Sequence, residues 1–245
     1  MAVSKKALLY ACDREGQAIL KNFENPVKLS HGVYSAGNYL VYKTGVGKAN
    51  TRKAVSRLFQ LYPVSSVIML GTAGAMDKKL KAGDIFLANK IINVVDGDLK
   101  EEFSFNSGSL DTFSDLLKGK GHNFKKAALV TVDKPLLMKK QKEEFFVKYH
   151  AKACDMESAV VAEIAGKNDI PFYCLRVISD SLNQRIPAPE IFLHTEKGLK
   201  GFLKKIIVFI KNPLQLVRLV RFKKSYSLAL LHLESVVRIM IGKGR

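Results

Sequence analysis

The chain contains no tryptophan and only three cysteines in 245 residues. Cys12, Cys154 and Cys174 are odd in number, far apart and outside any C-x-x-C pattern. That spacing argues against a disulfide framework and a zinc ribbon. It fits a reducing cytoplasm, with the cysteines as small buried apolar residues. The histidines (His31, His122, His150, His194 and His232) form no i,i+4 pair and no H-E-x-x-H motif, so no metal site is assigned and a nucleophilic triad has no support. No apolar run approaches the ~20 residues of a membrane-crossing helix. Ala7–Cys12 after Lys5-Lys6 is shorter than the ~7–15 residues of a signal-peptide core and reads as a first β-strand.

What is present is the composition of a globular protein, 47% apolar and 25% charged, in a chain long enough for one large core. The net charge of +18 is unevenly spread. From Lys197 onward there are 12 cations and one acid, Glu234. We therefore divide the chain into a domain over 1–195 and a basic, amphipathic helical extension over 196–245.

Apolar strands alternate with helices, which predicts an α/β fold. Strands are expected at 5–11, 64–70, 84–95, 127–132 and 172–178, with a hairpin over 31–44 turning at Gly37-Asn38. Helices are expected from Asp13, up to Tyr62, over about 138–149 and over 156–169. Residues 96–123 read as loop plus one short helix. Residues 190–210 read as helical, and Asn212-Pro213 starts a further helix over 213–241.

Two carboxylate motifs carry the chemistry. In Asp155-Met156-Glu157-Ser158, Glu157 lies among Ala153, Met156, Ala159, Val160 and Val161. A carboxylate there needs partners, and two adjacent ribose hydroxyls would serve. The plainer reading is an acid at a helix N-terminus. In Arg176-Val177-Ile178-Ser179-Asp180, Asp180 closes a strand and suits a general acid oriented by Ser179. The plainer reading is a helix cap. Glu15, just past the first strand, would be a third carboxylate able to activate water, or else a surface helix acid. Gly71-Thr72-Ala73-Gly74 follows a buried strand and would bring backbone close to a substrate, or simply make a tight turn. Gly45-Val46-Gly47-Lys48 fails the P-loop pattern, because Tyr42 replaces the first glycine and Ala49 follows the lysine.

In this order, the segments over residues 5–182 resemble the purine nucleoside phosphorylase/uridine phosphorylase superfamily. Leu80-Lys81-Ala82-Gly83-Asp84 adds to the match. The resemblance implies a three-layer α/β/α sandwich with a central mixed sheet, in dimers or larger homo-oligomers. Within the superfamily the chain is similar to the nucleosidase branch, which includes methylthioadenosine/S-adenosylhomocysteine nucleosidase. That likeness implies Glu15 for water activation, Glu157 for the ribose hydroxyls and Asp180 for protonation of the purine at N7. Met156, Ser179, Gly71, Thr72 and Ala73 would bind substrate around them.

Phosphorylases of the superfamily place an arginine shortly before the glycine-rich segment. Here Ile68-Met69-Leu70 stand there, which favours water over phosphate, with Arg52 or Arg14 as possible substitutes. The nucleosidases stack the base on an aromatic near the segment matching Val132–Leu136, and this chain has none there. The C-terminal part, with Arg185–Pro189 and Lys211–Leu216, resembles the hopanoid-associated branch, which implies a lipid-linked adenosine such as adenosylhopane. Independently, Leu214, Leu216, Val217, Leu219, Val220 and Phe222 with Lys211, Arg218, Arg221, Lys223 and Lys224 form a basic amphipathic helix suited to an anionic membrane surface. The alternative is a helix packing on the domain or on a partner subunit. Nucleic acid is disfavoured, because no aromatic stacking pattern accompanies the cations.

The sequence thus predicts hydrolysis of an adenine nucleoside by a cytoplasmic enzyme, peripheral on the inner membrane face, with no metal or redox cofactor. Phosphate would be co-substrate if the protein is a phosphorylase. The remaining rivals are a soluble methylthioadenosine/S-adenosylhomocysteine nucleosidase and a membrane-associated nucleoside-binding protein without catalysis.

Overall fold

The computed structural model of the chain describes residues 4–105, 111, 114–115, 124–186 and 213–243. The helix expected over 190–210 lies outside the described residues. A mixed ten-stranded sheet with helices on both faces forms the molecule, an α/β architecture as expected. Its strands are β1 (Lys5–Tyr10), β2 (Val27–Ser30), β3 (Val33–Ala36), β4 (Tyr39–Lys43), β5 (Val64–Ala75), β6 (Ile85–Val95), β7 (Asp98–Ser104), β8 (Phe124–Thr131), β9 (Ala153–Asp155) and β10 (Phe172–Asp180). The described helices are α1 (Asp13–Leu20), α2 (Lys48–Leu61), α3 (Lys139–Tyr149), α4 (Ser158–Lys167) and α5 (Pro213–Met240).

Period-two alternation sorts the central strands onto two cores. Ala7, Leu9, Val67, Met69 and Cys174 face one way, against Val55 and Leu58 of α2 and Ala159 to Ala162 of α4. Leu8, Tyr10, Ile68, Leu70, Leu175 and Val177 face the other, against Ala18 and Ile19 of α1 and Ala229, Leu233, Val236 and Val237 of α5. The last three turns of α5 are therefore part of the sandwich, as the alternative reading of a helix packed on the domain has it. Its first turns differ: Leu214, Leu216, Val217 and Val220 are exposed.

Two plainer alternatives drop out and one local expectation changes. Gly71-Thr72-Ala73-Gly74 is no turn, because β5 runs through it to Ala75, pairing with β10 in parallel. Parallel pairing satisfies the backbone there, so glycine need not break the strand. Residues 98–104, expected as loop, form β7, antiparallel to β6 and almost wholly exposed, which leaves no apolar alternation to read. Ser179 and Asp180 are the last residues of a strand, so the helix-cap reading fails. The sheet also closes on itself. β10 pairs with both β5 and β6, and β8 and β9 complete a ring back to β5. α3 covers the end of this ring, with Tyr149 and Phe145 against Val130, Val132 and Met76. The hairpin of β3 and β4 turns at Gly37, as expected.

Candidate active site

The site lies where two glycines of β5, Gly71 and Gly74, leave space beside the strand. In the parallel register Arg176 of β10 stands beside Gly71, and Asp180 beside Gly74. A Cβ on Gly71 would fall 2.7 Å from Arg176 Nη1 and 2.7 Å from Glu15 Oε1, and its φ of +144° also favours glycine. A Cβ on Gly74 would fall 3.2 Å from Asp180 Oδ2 and 3.2 Å from Cys154 Sγ. The glycine-rich segment thus makes room for charged side chains from neighbouring elements.

Glu15 sits in the first turn of α1 and is buried, so the surface-acid reading is set aside. Its Oε2 accepts from the backbone N–H groups of Ala11 at 3.1 Å and Cys12 at 3.2 Å. Its Oε1 accepts from the Thr72 N–H at 2.8 Å and hydroxyl at 3.0 Å. Three of these donors are fixed backbone, and only the Thr72 hydroxyl can rotate away.

Glu157 precedes α4 and is also buried. Its Oε1 accepts from the Gly47 N–H at 2.8 Å, so the glycine turn at 45–47 serves a carboxylate and not a nucleotide phosphate. Its Oε2 lies 3.5 Å from Arg176 Nη2. Burial pushes Glu157 up to about 7, and the nearby Asp155 charge adds to the shift; Arg176 and the Gly47 N–H oppose it. Met156 packs partly buried beside this turn.

Sequence reasoning missed the frame that holds these groups. Arg176 is wholly buried and paired with Asp155, whose other oxygen accepts from the Thr131 hydroxyl at 2.7 Å. Ser158 joins both, with its hydroxyl 3.0 Å from Arg176 Nη2. Burial works against the guanidinium charge, yet Asp155, Cys174 and Glu157 outweigh it and hold the pKa above its ordinary value. Arg176 therefore remains a fixed cation between Glu15 and Glu157.

Asp180 has two partners. Its Oδ1 is 2.6 Å from the Ser179 hydroxyl, which also stands 3.2 Å from the Ala73 carbonyl. Its Oδ2 contacts Lys142 Nζ of α3. Lys142 is wholly buried and donates as well to the Ser181 carbonyl at 3.3 Å. The sequence alone places Lys142 in the helix expected over about 138–149 and gives it no role. The available signal was its spacing from Phe145, Phe146 and Tyr149, which puts it on the apolar face of α3.

α5 borders the site through Tyr226, whose hydroxyl is 3.1 Å from Cys12 Sγ. Burial first, then the Glu15 charge, raises the pKa of this phenol. Gln184, after β10, donates to Ser225 Oγ at 2.8 Å. The structure therefore brings together Glu15, Thr72, Gly71, Glu157 and Arg176 at one end, and Ala73, Ser179, Asp180 and Lys142 at the other. Burial raises the Cys154 thiol to about 12 and Cys174 to about 11, in keeping with inert buried cysteines. Arg14 is exposed, and Arg52 pairs with Glu163 at 2.5 Å. No cluster able to hold a metal ion occurs among the described residues.

Comparisons with known proteins bear on the family and the fold. The chain is 27% identical over 166 residues to an aminodeoxyfutalosine nucleosidase of Helicobacter pylori, covering 63% of this chain and 72% of the relative. It is 25% identical over 202 residues to a 5'-methylthioadenosine/S-adenosylhomocysteine nucleosidase of Staphylococcus haemolyticus, covering 74% and 86%. The fold matches that of the 5'-methylthioadenosine/S-adenosylhomocysteine nucleosidase of Neisseria meningitidis in complex with methylthio-immucillin-A. That match has a TM-score of 0.74 at 18% identity, over 99% of this chain and 100% of the other. Since the phosphorylase superfamily model also matches residues 8–208, most of the chain, the protein belongs to that superfamily.

Proposed function

We propose that the protein is an adenine nucleosidase, which breaks the N-glycosidic bond with water as acceptor, and that its substrate carries a lipid at the 5′ position. The observation that carries the hydrolytic reading is Glu15. Its carboxylate occupies the Thr72 N–H and hydroxyl, the donors an incoming phosphate would need. Ile68-Met69-Leu70, with no cation, stand immediately before Gly71. A water can take the place of the rotatable Thr72 hydroxyl on Glu15 and be held there for attack on the sugar.

In this reading Glu157 accepts hydrogen bonds from the ribose hydroxyls. The Gly47 N–H on Oε1 and Arg176 at 3.5 Å from Oε2 leave lone pairs for them. As the glycosidic bond lengthens, positive charge grows on the sugar, and the preorganised carboxylates Glu15 and Glu157 stabilise it. Asp180 gives a proton to the purine, so that the base leaves neutral. The nucleosidases found by comparison support the reaction class.

The lipid substituent is supported by α5. The helix contacts the Glu15 neighbourhood at Tyr226 and then runs outward with Leu214, Leu216, Val217 and Val220 exposed. Arg218, Arg221, Lys223 and Lys224 are interspersed with them. Such a surface suits an anionic bilayer, at about 1 kcal/mol per cation. Among the described residues no helix is long and apolar enough to cross a membrane.

The test is adenine release from a lipid-tailed adenosine in anionic liposomes, compared with methylthioadenosine and S-adenosylhomocysteine, each with and without phosphate. Phosphate-independent release from the lipid nucleoside is expected. Release from the soluble nucleosides alone would remove the lipid, and release that requires phosphate would remove the hydrolase.

A further inference from the structure

Lys142 is the buried group that the reading above leaves unused. Its neighbours in α3, Lys139, Lys140, Glu143 and Glu144, form ordinary i,i+4 pairs with side chains about half or more exposed. Lys142 instead has a side chain 0% exposed, against an Asp180 side chain only 3% exposed. A buried ammonium is costly, and a lysine retained there needs a compensating role or partner. The partner is the proposed general acid itself.

The geometry around Asp180 poses a supply problem. Both carboxylate oxygens face donors, Ser179 Oγ on Oδ1 and Lys142 Nζ on Oδ2. A carboxylate that passes a proton to a leaving base must be supplied with one, and the only group on Oδ2 among the described residues is the Lys142 ammonium, a carrier of protons sealed from solvent beside it.

We propose that Lys142 is a positioning residue that holds Asp180 by Oδ2 and supplies the proton Asp180 passes to the base. This rests on the nucleosidase reading. In the step, the C–N bond breaks and its electron pair goes to the base. Lys142 Nζ gives a proton to Asp180 Oδ2, and Asp180 gives one to the purine ring nitrogen. Water adds its hydroxyl to the sugar carbon and its remaining proton to Glu15. The protein is left with neutral Lys142 and protonated Glu15, and solvent carries that proton back. Lysine can take part in such a cycle because its ammonium gives up a proton when buried, whereas arginine does not.

The experiment compares two leaving groups, adenine and 4-nitrophenolate, on the same ribose. Nitrophenolate leaves without protonation. Wild type is measured beside Lys142→Arg, which keeps the charge but withholds the proton, and Lys142→Met, which removes both. Both variants are expected to lose about 100-fold or more in kcat for adenine release, within the range for general acid catalysis, with KM little changed. On the nitrophenyl riboside they are expected to stay within about threefold of wild type, which also shows that they fold. Wild-type kcat for adenine release in Lys142→Arg, or an equal loss on both leaving groups, would overturn the proposal. Wild type failing to release adenine from any nucleoside would instead overturn the nucleosidase reading.

Discussion

Each end of the site sets a buried cation against a buried carboxylate, and the cations differ. At the sugar end Arg176 meets Asp155 and Glu157, with Ser158 and Thr131 completing the frame. At the base end Lys142 meets Asp180, with Ser179 on the other oxygen. A guanidinium is a planar, permanent charge suited to fixing two acids in place. An ammonium is a point charge that can lose its proton. In the proposed reading, one end holds still while charge develops on the sugar, and the other passes a proton.

The largest expected effect breaks the sugar end. Glu157→Ala should lower kcat by about 1000-fold or more while circular dichroism stays that of wild type, because it removes the group bound to the ribose hydroxyls. Next is Arg176→Met, which leaves Asp155 buried without its cation. It should cost about 3–5 kcal/mol in denaturant unfolding, the range for halving a buried pair. A variant of unchanged stability would show that Arg176 does not hold the frame. Gly71→Ala is milder. Its methyl would push Glu15 and Arg176 apart, and a shift of order 1 Å should lower kcat roughly 100-fold with less loss of stability.

A smaller effect concerns pH. Glu157 is raised to about 7 in the folded protein, while an unfolded glutamate titrates near ~4.3. Between those values the folded state binds the extra proton. The contribution of Glu157 to stability is therefore full below ~4.3 and is lost as pH rises toward 7. The melting temperature of Glu157→Gln should fall less across that window than that of wild type, and parallel curves would contradict the assignment. The smallest effect lies on α5. Lys223→Ala with Lys224→Ala should weaken binding to anionic liposomes by about 1 kcal/mol per cation and leave turnover of a water-soluble nucleoside unchanged.

Much of this was legible in the sequence where whole segments are apolar. The apolar runs in 5–11, 64–70 and 172–178 mark the central strands because each is covered on both faces by helices. Glu15, Glu157 and Asp180 were readable because each carboxylate interrupts or ends an apolar segment. Legibility failed where the cause is tertiary. Gly71–Gly74 looks like a turn locally, and only pairing with β10 makes it strand. β7 has no buried face to mark it. Closure of the sheet depends on β10 reaching both β5 and β6, which no local pattern encodes. Lys142 stands among other lysines, and its burial depends on where α3 lands on the ring. Both halves of α5 are rich in apolar residues, and the cations Arg218, Arg221, Lys223 and Lys224 crowd the first half; Ala229, Leu233 and Val236 are buried and Leu214 and Val217 are not.

The central claim is that Glu15 delivers water to the sugar, and the most direct measurement is the fate of solvent oxygen. Turnover of an adenine nucleoside in oxygen-18-labelled water, with and without phosphate, is read by mass spectrometry of the sugar product. One label at the sugar's anomeric carbon at the first product measured, at the same rate in both conditions and lost in Glu15→Gln, is the predicted result. A sugar phosphate formed when phosphate is present, or labelled product made as fast by Glu15→Gln, would contradict it.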